Sequence, residues 1–242
     1  MKQRILLGML TPSSNTSLEP LTSAIVSELP GVSAHFSRFT VTEISLQDQA
    51  LGQFDDSKIL EAARLLADAR VDVIGWSGTA ASWMGFDTDE TLCRRITEAT
   101  GIPATTSVLA LNEILDKTGV KELGLISPYL KSVQDKIIEN YARAGIRIPA
   151  ERHLDLHVNY SFAEVTETQI LEMAGSVASH RPDAMTVMCT NLKGAQLAAR
   201  IEEETGIPLY DSVSTVVWKS LLLAGFDVRK VKGWGSLFQH VS

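Results

Sequence analysis

The residue in this chain best placed to do chemistry is Cys189. It ends the mostly apolar run D-A-M-T-V-M-C from Asp183, and a Thr-Asn pair follows before a helical pattern over Gly194 to Glu204. A buried parallel strand reads this way when it runs into a tight turn and a helix. The thiol then stands at the carboxyl end of a strand, where ligands of open α/β sheets gather. The helix N-terminus predicted beside it favours negative charge, including a thiolate. In that position a thiol can give a proton to a carbanion or act as a nucleophile.

The first half of the chain repeats the pattern with the thiol missing. Aligning V-D-V-I-G-W-S-G-T-A (Val71 to Ala80) with P-D-A-M-T-V-M-C-T-N (Pro182 to Asn191) sets Asp72 on Asp183, Gly78 on Cys189 and Thr79 on Thr190. The helices that follow close alike, I-T-E-A-T-G-I-P at Ile96 to Pro103 and I-E-E-E-T-G-I-P at Ile201 to Pro208, with Ser107 and Ser212 beyond them. L-G-M-L-T-P (Leu7 to Pro12) and L-G-L-I-S-P (Leu123 to Pro128) open the two halves. The chain is therefore expected to be α/β, with two pseudo-symmetric three-layer lobes, mostly parallel sheets and a site in the cleft between them. One wall of that cleft carries Cys189 and the other bare backbone at Gly78.

The elements that must position these groups follow in order. A strand over Arg4 to Leu10 runs into T-P-S-S-N-T and a helix from about Leu18. Pro12, Ser13, Ser14 and Asn15 at that helix start form a seat for an anion such as a carboxylate, or an ordinary cap. The strand Val32 to Phe39 leads into a loop, Thr40 to Phe54, whose length suggests a lid or binding loop. A helix follows over Asp56 to Ala69. After the strand Val71 to Trp76, Gly78 lets backbone approach a ligand closely. Ser77, Thr79 and Ser82, with Ala80 among them, bring the hydroxyl and N–H groups an oxyanion hole needs. In the second half Tyr129 follows a strand over Glu122 to Ser127, and its phenol is a candidate donor. Asn159 is a loop amide able to face the cleft, while His153 and His157 are candidate bases more simply read as loop residues. Thr190 and Asn191 complete the candidate set; Cys93, in E-T-L-C-R-R-I, reads as a buried helix-face thiol.

Bulk composition narrows the partners. With 242 residues and a net charge of −7, the chain has room for two lobes and no basic stripe for nucleic acid. Ile5 to Leu10 is too short for a signal segment, and nothing approaches a membrane span. Two cysteines provide neither a disulfide framework nor metal-ligand spacing, so no metal is expected and the compartment reads as reducing cytoplasm.

Over essentially its whole length the chain resembles the aspartate/glutamate racemase superfamily, in the branch of arylmalonate decarboxylases and maleate cis-trans isomerases. G-T-x-x-S at Gly78 to Ser82, Pro128-Tyr129, the single cleft Cys189 and G-W-G-S-L-F at 233–238 look like the decarboxylases. P-S-S-N-T at Pro12 to Thr16, C-T-N-L at Cys189 to Leu192 and Asn159 look like the isomerases. The resemblance implies a lobe of residues 1–116, joined by a C-terminal helical segment at 214–242, and a second lobe at 117–213. It implies a small dicarboxylic acid as substrate, no cofactor and Cys189 as the catalytic thiol, and it leaves monomer and homo-oligomer open. Decarboxylation of a malonate-type acid is the first expectation. Isomerisation or racemisation of a small acid, and non-catalytic binding of one, are the alternatives.

Overall fold

A computed structural model describes residues 4–47 and 56–241. Strands β1 (Ile5–Pro12), β2 (Val32–Phe39), β3 (Val73–Trp76) and β4 (Ala104–Thr106) form one parallel sheet in the order β2-β1-β3-β4. Strands β5 (Leu123–Ile126), β6 (Glu151–Arg152), β7 (Ala184–Val187) and β8 (Leu209–Asp211) form a second in the order β6-β5-β7-β8. Matched strands occupy matched places, so the repeat in the sequence is a repeat of topology. The central strands β3, β5 and β7 are buried at every residue, which is why they read as unbroken apolar runs.

The helices are α1 (Leu18–Val26), α2 (Asp56–Asp68), α3 (Ala81–Met84), α4 (Phe86–Thr100), α5 (Ser107–Thr118), α6 (Lys131–Arg143), α7 (Glu167–Ala178), α8 (Ala198–Thr205), α9 (Ser212–Leu223) and α10 (Leu237–His240). Strand alternation decides which helix each residue meets. A Cβ at Gly8 would touch Leu66 of α2, whereas Gly75, the register partner of Met9, looks at Val216 and Ser220 of α9. The C-terminal helix α9 thus covers β3 and β4 of the first sheet, and Thr215 Oγ1 donates to Ser107 O at 3.0 Å.

The two T-G-I-P segments terminate α4 and α8 by one device. Gly101 and Gly206 both take the left-handed conformation at φ 72° that a side chain disfavours. Thr100 and Thr205 donate back to Ile96 O and Ile201 O at 2.7 and 2.6 Å and accept from Ile102 N and Ile207 N.

The structure departs from the sequence reading at several points. The helix expected over Gly194 to Glu204 is a short 3-10 turn, Ala195–Leu197, followed by α8. Residues after Cys189 first make a turn of their own, with Leu192 N donating to Cys189 O. Cys93 is half-buried on α4, not enclosed, and burial with Asp89 nearby pushes its thiol up to about 12. The far part of the loop Thr40 to Phe54 lies outside the described residues, as do the first three residues of the chain. Among the described residues no helix is long and apolar enough to cross a membrane.

Candidate active site

The ends of β3 and β7 meet where the lobes face each other. Trp76, Gly78, Thr79 and Ala80 come from the first, Cys189 and Thr190 from the second, and Pro12 and Tyr129 from the ends of β1 and β5. Val41, Ile44, Trp83 and Asn159 close the remaining sides. The cavity, partly open to solvent, is about 20 Å³, room for a single water by volume.

The loops around the cavity pair across the lobes. Glu43 and Val158 form an antiparallel bridge, Ile44 N donates to His157 O at 2.8 Å and Asn159 N to Thr42 O at 3.0 Å. Asn191 Oδ1 accepts from Thr16 N and Ser17 N at 3.0 and 3.2 Å, and its Nδ2 donates to Asn159 O at 2.6 Å. Asn15 Oδ1 accepts from Ser17 N and Leu18 N, capping α1, while its Nδ2 donates to Thr190 Oγ1 at 3.1 Å. Thr190 Oγ1 in turn donates to Ser77 O at 3.2 Å.

Inside the cavity the Tyr129 hydroxyl and Thr79 Oγ1 share a hydrogen bond of 2.7 Å. Rings of Trp83 and Phe162 pack edge-on against Tyr129, at centroid distances of 5.2 and 5.7 Å, and fix its orientation. Cys189 is 2 % exposed, and Asn191 N–H points at its sulfur at 3.4 Å. Burial pushes the thiol up to about 11, against the pull of the Asn191 and Leu192 N–H groups and of Tyr129. The helix start expected to favour a thiolate is displaced to Ala195, and desolvation decides the charge: near neutral pH Cys189 carries its proton. Burial, with Cys189 alongside, likewise raises Tyr129 well above an ordinary phenol. Among the described residues the backbone N–H groups of Thr79 and Thr190 have no hydrogen-bond partner.

Of the residues singled out from the sequence, Pro12, Gly78, Thr79, Ala80, Tyr129, Asn159, Cys189 and Thr190 line the cavity together. Ser13, Ser14, Asn15 and Asn191 stand behind that lining. Ser13 Oγ accepts from Val41 N, Ser14 Oγ donates to Val41 O at 2.6 Å and accepts from Asn159 Nδ2, and the two asparagines tie the loops as above. His153 Nδ1 pairs with Glu151 at 2.9 Å beside β6, and His157 is exposed, so neither candidate base reaches the cavity. Sequence reasoning missed Val41, Ile44, Trp83 and above all Trp76. Parity was the available signal, because residues 76 and 78 share a face of the strand and its continuation.

Two lobes of one topology thus close on a cavity whose lining holds Cys189. The arylmalonate decarboxylase family profile matches residues 8–238, and the chain belongs to that family. It is 23% identical to the maleate isomerase of Geobacillus stearothermophilus over 91% of this chain and 92% of that one. It is 24% identical to the arylmalonate decarboxylase of Bordetella bronchiseptica over 75% of this chain and 77% of that one. Its fold matches the crystal structure of the maleate isomerase Iso from Pseudomonas putida S16 with a TM-score of 0.90 at 22% identity, covering 98% and 99% of the two chains.

Proposed function

We propose that the enzyme decarboxylates a substituted malonate-type diacid without a cofactor and returns the proton to one face. The observation that carries this reading is the buried Cys189 thiol in a cavity whose matching position on the other strand end is Gly78, with burial pushing that thiol up to about 11. One carboxylate is retained by the Thr79 and Thr190 N–H groups with the Thr79 and Tyr129 hydroxyls. The other faces the apolar wall of Val41, Ile44, Trp76 and Trp83, where its charge is poorly solvated. The bond from Cα to that carboxylate breaks and CO₂ leaves. The electron pair stays on Cα and spreads into the retained carboxylate as an enediolate, whose new charge meets the donors. The Cys189 S–H proton passes to Cα, and solvent re-protonates the thiolate. With a proton donor on one wall alone, a malonate whose Cα carries two different non-hydrogen substituents gives a single enantiomer.

Isomerisation of a maleate-type acid is the second reading, and the Asn159 amide favours it by giving the cavity a polar group for a second carboxylate. It needs a thiolate that adds to the double bond, and a thiol pushed up to about 11 supplies little of that form near neutral pH. Incubation with a panel of substituted malonates and with maleate, followed for CO₂ release and product chirality, separates the two. CO₂ with an enantiomerically enriched monoacid is the expected result; conversion of maleate without CO₂ release overturns it in favour of the second reading.

A further inference from the structure

The repeat aligns Gly78 with Cys189 and, two residues earlier, Trp76 with Val187. These exchanges compensate each other in volume. A Cβ built on Gly78 would lie 2.1 Å from Cζ2, 2.3 Å from Cε2 and 2.6 Å from Cη2 of Trp76, so the indole already occupies the start of any side chain there. The ring is 2 % exposed and packs on Phe39 at a centroid distance of 5.0 Å. In the second half the smaller Val187 stands at the place of Trp76, and position 189 carries the thiol.

We propose that Trp76 is a specificity-determining residue: its indole fills the place of a side chain at position 78 and thereby confines the site to one thiol, on the Cys189 wall. This deepens the decarboxylation reading and rests on it for its chemical consequence, one-faced protonation. The packing claim stands independently. Beyond the ring lies an open cleft of about 260 Å³, lined also by Ile59, Ala80, Met84 and Leu92. If the indole swings freely into that cleft, position 78 accepts a side chain at no cost and the proposal fails.

The experiment is a double-mutant cycle that copies the second half into the first. Gly78→Cys is made in the native background and in Trp76→Val, and melting temperatures are compared. In the native background the substitution should lower the melting temperature by roughly 5–10 °C, the effect of overpacking a filled site. On Trp76→Val it should cost no more than about 2 °C, because the volume has been vacated. Equal losses in the two backgrounds would overturn the proposal. Gly78→Ala, measured in the same two backgrounds, repeats the comparison with one methyl group should Gly78→Cys fail to fold. On a malonate that the native enzyme turns over, the double variant should release product of reduced enantiomeric excess. Undiminished excess would sink the claim that Trp76 confines the site to one thiol. A native enzyme that decarboxylates nothing removes the proposed reaction while the melting comparison still decides the packing.

Discussion

The strand ends Trp76-Ser77-Gly78-Thr79 and Val187-Met188-Cys189-Thr190 are two versions of one structural unit. Their threonines keep equivalent places in the cavity lining, and the helices beyond them end in the same T-G-I-P device. What differs is where the volume and the reactive atom lie: a large ring and no side chain in one, a valine and a thiol in the other. The scaffold is common to both, and the thiol stands on one side only. A backbone turn tolerates such divergence because its hydrogen bonds do not depend on which side chain fills the cleft.

The harshest test of that asymmetry is Cys189→Ala. Removing the only thiol in the cavity lining should lower kcat about 10³-fold, within the range for loss of a general acid, while substrate still binds as measured by calorimetry. Activity close to native would place the proton source elsewhere. Next in size is Tyr129→Phe, which removes the hydroxyl between Thr79 and Cys189 and should reduce kcat about 10²-fold with a smaller change in KM. A loss confined to KM would make the phenol a ground-state binder and not a stabiliser of developing charge.

Position 211 offers a gentler comparison. Asp211 caps α9 through Oδ1, as Thr106 caps α5, yet burial holds its carboxyl up to about 7. In the unfolded chain that group ionises near its ordinary value of 3.8, so the folded state binds the proton more tightly. The stability it contributes is fully present below about pH 4 and is lost as pH rises to about 7. Asp211→Asn keeps the cap and should flatten that decline in urea midpoints between pH 4 and 8. The flattening is partial, since buried Asp89, also raised to about 7, adds the same slope. An unaltered slope would mean Asp211 is ionised in the folded protein. The smallest expected effects are Thr100→Ala and Thr205→Ala, each costing about 1–2 kcal/mol by loss of the one hydrogen bond its hydroxyl donates and the one it accepts at a helix end. Costs differing by more than that would show that the two halves are not equivalent where they look most alike.

Much of this was legible along the chain. Apolar runs of strand length, glycines after helical patterns and the repeat of whole phrases are local signals, and they specified two matched α/β units with Gly78 opposite Cys189. The cavity-lining threonines, Tyr129 and Asn159 followed from their places at strand ends and in a loop. Asn15 and Asn191 were legible as polar groups near the cleft, but their work in tying α1 to the turn after Cys189 depends on partners about 175 residues away.

By itself, then, the sequence determined the duplication, the strand ends and the single-thiol pattern, because each is written in short-range periodicity and spacing. Only the tertiary structure decided that Cys189 stays protonated and that Trp76 takes the room of a side chain at position 78. Desolvation and excluded volume are set by everything packed around an atom, and no neighbour in sequence reports them.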